Sequence, residues 1–141
     1  MNSNTQIATT REQSERLLIM GLKPETADMC YNGYFESLPL EINPNNSIKD
    51  EKYLPAWSLS RLLEIMPPFL SKHGTLYLQC GLHTERYNND NNDIAHEYDI
   101  QYGVSSMTDG CENPFDAIIA AIGWMIRKGV FNKKYLKGGD E

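Results

Sequence analysis

The sequence predicts an α+β fold, an antiparallel β-hairpin or small sheet packed by three to four short helices. Three observations predict it. Thr75 to His83 and Ile94 to Val104 each alternate apolar and polar residues with a period of two. Asn113-Pro114 opens and Gly129 closes an apolar helix near the C-terminal end. Thr10-Arg11-Glu12-Gln13 spells a capping box ahead of a helix that Gly21 stops.

Length and charge set the frame. The chain has 141 residues, 40% apolar and 23% charged, which suits one globular domain over 1–141 and excludes general disorder. Residues 1–9 and 137–141 are expected to be flexible. The net charge is −6. A dedicated nucleic-acid binder would be basic, so nucleic acid is not the expected partner. The charge is uneven: residues 71–126 carry 2 basic and 8 acidic side chains, and residues 127–141 carry 5 and 2. The N-terminal residues lack the pattern of a secretory signal, and the longest apolar run, Ala117 to Ile126, is too short to span a bilayer. Cys30, Cys80 and Cys111 are odd in number and form no CxxC. A cytoplasmic protein with free thiols is the expectation.

The elements follow in order. The first helix runs from Thr10 to about Met20, and its apolar residues Leu17 to Met20 imply that only its last turn is buried. Pro24 to about Tyr31 reads as a second short helix ended by Asn32-Gly33. Leu38, Leu40 and Ile42 alternate, but Pro39 demotes that segment to an edge strand or coil. Ser47 to Tyr53 reads as exposed loop. Pro55-Ala56-Trp57-Ser58 begins a third helix that must stop before Pro67-Pro68. Its stripe is Ala56, Leu59, Leu63 and Met66, with Leu62 beside it and Arg61 and Glu64 outward. The hairpin follows, with Leu76, Leu78, Cys80 and Leu82 on one face of the first strand. His96, Tyr98, Ile100, Tyr102 and Val104 share one face of the second. Thr84 to Asp93 is the long loop between them. The 114–128 helix and the 56–66 helix are expected to cover this sheet. Val130, Phe131, Tyr135 and Leu136 belong to a tail that docks.

Each cluster of reactive residues has a bland reading beside it. Asn88, Asp90, Asn92 and Asp99 sit at positions 1, 3, 5 and 12 of a calcium loop, but Asp93 occupies the glycine position. A solvated hairpin loop is preferred. His73, His83, His96 and Cys80 have no spacing that places two zinc ligands on one element. Ser58 is favoured as a helix cap, and no nucleophile elbow or phosphate-binding glycine loop occurs. Glu97 and Asp99 share a strand face and could hold a metal, though wet sheet faces usually look this way. Arg127, Lys128, Lys133, Lys134 and Lys137, with Phe131 and Tyr135, form the one basic and aromatic cluster. Dipole complementation at the helix end is its bland reading.

Several segments together resemble an uncharacterised family of short bacterial and prophage-associated proteins. They are Thr10-Arg-Glu-Gln-Ser14, Gly21-Leu-Lys-Pro-Glu-Thr-Ala-Asp-Met29, and Leu54-Pro-Ala-Trp-Ser-Leu-Ser-Arg-Leu-Leu-Glu-Ile-Met-Pro67. The last two are Asn113-Pro-Phe-Asp-Ala117 and Trp124-Met-Ile-Arg-Lys-Gly129. The resemblance implies a phage or mobile-element setting, and it carries no activity and no functional residue.

The functional expectation is a small accessory protein that binds another protein or its own copy. It requires no cofactor, metal or membrane, and catalysis is not expected. The candidate interaction surface is Trp124, Tyr77, Lys133, Lys134 and Tyr135. The rival readings are a metal-dependent hydrolase using Glu97, Asp99 and a histidine, and a nucleic-acid-associated protein acting through the basic tail. For Trp124 two outcomes are open, burial in the core of the chain or contact with another subunit.

Overall fold

Among the described residues, three α-helices and two antiparallel sheets make an α+β fold. The structure is a computed structural model describing residues 6–32, 40–41, 53–67, 69–72, 76–88, 94–102, 105–106 and 110–139. The chain divides into two compact units, Met1–Ile65 with Lys133–Glu141, and Met66–Asn132.

The first unit opens with α1, Arg11–Met20. Its capping box is present in full, with the Thr10 hydroxyl accepting from the Gln13 amide and the Gln13 side chain accepting from the Thr10 amide. Gly21 ends the helix at φ 109°, and the Leu22 amide donates back to the Leu17 carbonyl, a Schellman closure. Burial is not confined to the last turn, although Leu17 there is fully buried. The buried residues are Gln13, Ser14 and Leu17, while Ile19 is 85% exposed. Leu18 and Met20 flank the buried stripe and are half-buried, and Ile19 alone points away from it.

Beyond Gly21 the predicted helix at 24–31 is replaced by a single 3-10 turn, Pro24–Thr26, and a strand, β1, Met29–Asn32. Thr26 ends the turn, its hydroxyl and amide both donating to the Lys23 carbonyl. The two-residue β2, Leu40–Glu41, is an edge strand, as Pro39 beside it suggested. Tyr53–Ala56 is β3, so Tyr53 is strand, and Pro55 and Ala56 belong to a strand and not to a helix start. The sheet order is β2-β1-β3, all antiparallel, with Cys30 opposite Pro55 and Leu40. Pro55 is tolerated because β3 lies at the sheet edge.

The helix α2 covers Leu59–Ile65 only, and Trp57 precedes it. Leu62, Ile65 and the following Met66 are buried, so the apolar face centres on Leu62 rather than on Leu59 and Leu63. The expected outward Arg61 is half-buried, while Glu64 is exposed and ion-paired to it. This helix falls in the first unit and not in the unit of the long hairpin.

In the second unit β4, Phe69–Lys72, pairs with the start of β5, Leu76–Asn88, and was not anticipated after Pro67-Pro68. The rest of β5 pairs with β6, Ile94–Tyr102, from Cys80 opposite Tyr102 to Asn88 opposite Ile94. Strand β5 therefore takes in 84–88, which the sequence assigned to the loop. The polarity of Thr84 to Asn88 suggests loop, yet β6 pairs with its backbone while Thr84 and Arg86 face water. Leu82 stands opposite Ile100, which is fully buried, so the apolar face was assigned correctly there. The calcium reading falls largely on 89–93, outside the described residues, although Asn88 itself is a strand residue. The two-residue β7, Ser105–Ser106, extends the sheet to β4-β5-β6-β7, and Cys111 bridges Tyr98.

The last helix, α3, spans Pro114–Lys128 and packs against β6. Asn113 caps it through its side-chain oxygen, which accepts from the Phe115 amide at 2.7 Å. Asp116 lies in the first turn, Arg127 and Lys128 in the last, and Gly129 at φ 73° stops it. Phe115, Ala117, Ile118, Ile119, Ala121, Ile122 and Met125 are all buried, so most of the apolar circumference is covered within the chain. Ile122→Ala should cost about 2–5 kcal/mol, because it removes buried methyl groups from a wall that cannot fully collapse. Chemical denaturation of wild type and variant measures it, and a loss under about 0.5 kcal/mol would place Ile122 outside the core.

Candidate interaction surface and the clasp beneath it

A hydrogen-bonded clasp organises the first unit around two buried side chains, Thr9 and Trp57, each fully shielded from solvent. The Thr9 amide donates to the Trp57 carbonyl at 2.9 Å, and the Trp57 amide donates to the Thr9 hydroxyl oxygen at 3.0 Å. The Thr9 and Ser14 hydroxyls share a bond of 2.7 Å. The Tyr31 hydroxyl donates to the Thr9 carbonyl at 2.8 Å. The indole N–H of Trp57 donates to the Thr26 hydroxyl oxygen at 2.9 Å. A buried indole needs such an acceptor, since an unpaired donor costs its full desolvation.

Next to this lies a cap. The Asp28 carboxylate accepts from the Ser58 amide at 2.8 Å and from its hydroxyl at 2.5 Å. The Ser58 oxygen in turn accepts from the Arg61 amide, the cap role expected of it. The Arg61 Nε–H donates to the Thr26 carbonyl at 2.7 Å. These contacts join three of the motif segments, 10–14, 21–29 and 54–67, at one place. Chemically the set is a hydrogen-bonded structural network, and its Arg61 also pairs with the exposed Glu64. Burial raises the Cys30 thiol above its ordinary pKa. It raises the Tyr31 hydroxyl too, against the opposing charge of Arg11, whose guanidinium lies 4.6 Å from the ring centre.

The tail completes this unit. Leu136 bridges Leu22, the Lys23 amide donates to the Tyr135 carbonyl at 2.8 Å, and the Lys137 amide donates to the Gly21 carbonyl at 2.7 Å. The tail thus docks, as its apolar residues suggested. Lys133, Lys134 and Lys137 are exposed, Tyr135 is half-buried, and the Lys134 ammonium lies 5.0 Å from the Tyr135 ring centre. Ile19 precedes this seam by two residues.

The other residues singled out lie in the second unit. Trp124 is half-buried, with the Lys128 ammonium 5.9 Å from its ring one helical turn on. Tyr77 is in β5, and its side chain is outside the described residues. So Lys133, Lys134 and Tyr135 come together, whereas Trp124 and Tyr77 belong to a different unit from them. The strand register sets His83 opposite Asp99 and Glu85 opposite Glu97. The Glu97 carboxylate lies over Gly110, 2.7 Å from where a Cβ would stand. Among the described residues no three His, Cys, Asp or Glu side chains are grouped as metal ligands. No helix among them is long and apolar enough to cross a membrane.

No protein-family model, curated protein or solved structure matches this chain. The surface must therefore be understood from its own chemistry.

Sequence reasoning missed Thr9, Thr26 and Asp28 because short polar side chains leave no periodic signal. The one available clue was the tryptophan in Pro-Ala-Trp-Ser, whose indole requires a partner when buried. Thr26→Val keeps the shape but leaves the Trp57 N–H without an acceptor, and should cost about 1–3 kcal/mol. Unfolding curves of the variant test this, with an unchanged midpoint excluding the bond. Stability should also fall in alkali. Both raised groups keep their protons in the fold, so their contribution is complete below the ordinary thiol value and is lost as pH climbs through the raised values. Melting across that range, with Cys30→Ala flattening part of the decline, checks the assignment.

Proposed function

We propose that the protein acts by binding another protein, as an accessory factor working in the cytoplasm in a phage or mobile-element setting. The setting rests on the resemblance of the motif segments. The binding role rests on one observation, the seam surface. Three lysines stand exposed on a tail fixed by backbone hydrogen bonds to Gly21 and Lys23. Pre-ordering of the tail lowers the entropy cost of engaging a partner. A lysine over a tyrosine ring supplies charge and apolar area together.

A second reading, a metal-dependent hydrolase, draws on the register that sets His83 opposite Asp99. A stoichiometric metal ion in the purified protein would be its mark.

The binding role predicts that affinity capture from the native host yields a protein that a Lys133→Glu/Lys134→Glu variant no longer holds. The exposed positions leave the melting temperature of that variant near wild type. Retention of the same protein by the variant, or recovery of nucleic acid instead of protein, would overturn the reading.

A further inference from the structure

The tail closes on itself as well as onto the first unit. The Leu136 amide donates to the Lys133 carbonyl, and the Gly139 amide donates to the Leu136 carbonyl, both at 3.0 Å. Gly138 turns the chain at φ 74°. Gly139 then lies against the Lys133 backbone, where a Cβ would stand 2.0 Å from the Lys133 carbonyl oxygen. No residue with a Cβ fits there unless backbone moves. Glycine at 139 thus holds the backbone at Lys133, and the bonds to Lys23 and Gly21 hold it at Tyr135 and Lys137. The exposed Lys133, Lys134 and Lys137 are borne on a backbone fixed at both ends, and 133–139 contains no acidic residue. Asp140 and Glu141, which follow, lie outside the described residues.

Fixed and exposed ammonium groups of one sign suit an anion, and the strap selects among anions. The Tyr135 ring is half-buried with Lys134 over it, so it lacks the open face that a stacked base needs. A long polyanion would also run past a chain of net charge −6, whereas a short run of carboxylates can engage the strap alone.

We propose that Lys133, Lys134 and Lys137 form a site for an acidic segment of a partner protein, with Gly139 as the positioning residue that holds them ready. The proposal rests on the protein-binding reading of this surface and names the chemistry of the partner. Lysines on a held strap lose less freedom on binding than lysines on a loose tail.

The probe is oligoglutamate, titrated calorimetrically into the full chain over a range of salt. It should bind, with affinity falling as salt rises, and oligothymidine of equal length should bind more weakly. Lys133→Glu/Lys134→Glu should abolish binding. Gly139→Val leaves the charge unchanged and should weaken binding at least about fivefold, with the same dependence on salt. Faster hydrogen exchange at the residue 139 amide shows that its turn has opened, and Gly139→Ala should give a smaller loss in the same direction. A glycine that served stability alone would lower the melting temperature and leave the affinity of the folded chain as it was. No binding of oligoglutamate, or a preference for oligothymidine, would overturn the site. Wild-type affinity in a chain with an opened turn would overturn the role of Gly139. If oligoglutamate is not bound but a host protein is still captured through Lys133 and Lys134, the binding role stands and this inference fails. Capture of nothing fails both.

Discussion

The first unit depends on finding a hydrogen-bond partner for every polar group that the burial of Trp57 takes out of water. The indole is fully enclosed, and its N–H reaches the hydroxyl of Thr26. Its backbone amide and carbonyl are met by Thr9. Thr9 then binds Ser14 at the start of α1 and Tyr31 on β1 through its remaining groups. Three segments far apart in sequence, 9–14, 26–31 and 57, are thereby set in one register. Hydrophobic contact alone would not fix them so closely, because apolar packing is non-directional whereas each of these bonds allows one geometry. The small cluster of Ala8, Tyr31 and Ala56 fills the space between them.

The second unit is held differently. There the directional element is the β5–β6 ladder, and α3 supplies the apolar mass. Ile100 is buried on the face shared with Leu82, and α3 presents Ile118, Ile119, Ile122 and Met125 with no exposed area. Alanine and glycine at 117, 121 and 123 are buried too. Trp124 on α3 is half-buried. The stacked Lys128 shields part of its ring.

How far the fold was legible follows from the kind of signal each element emits. Caps and stops were read to the residue at Thr10, Gly21, Asn113 and Gly129, because they are local and each depends on one side chain's stereochemistry. The face of the hairpin was legible at Leu82 and Ile100, because alternation has only two outcomes. The extent of β5 was not. Thr84 to Asn88 is held by pairing with β6, and nothing in its own composition reveals a partner strand. The helix predicted at 24–31 failed for a related reason. Pro24 does start a turn, but Thr26 and Asp28 spend their side chains on Trp57 and Ser58, and Met29–Asn32 pairs with β3. Of the candidate surface, the lysines and Tyr135 were visible as a basic and aromatic run. The exposure of Ile19 was not visible, because an apolar residue at the end of a helix looks like core until the opposite face is known to carry the burial.

The attachment of residues 133–139 to Gly21 and Lys23 also has a consequence for the order in which the molecule can be finished. On the ribosome the whole of 66–132 is made before Tyr135 and Lys137 exist. The second unit has every strand and helix it needs at that moment. The first unit, begun earlier, still has the Lys23 amide and the Gly21 carbonyl facing solvent. Its last seam closes only when the tail emerges, so the part of the chain synthesised first is the part completed last.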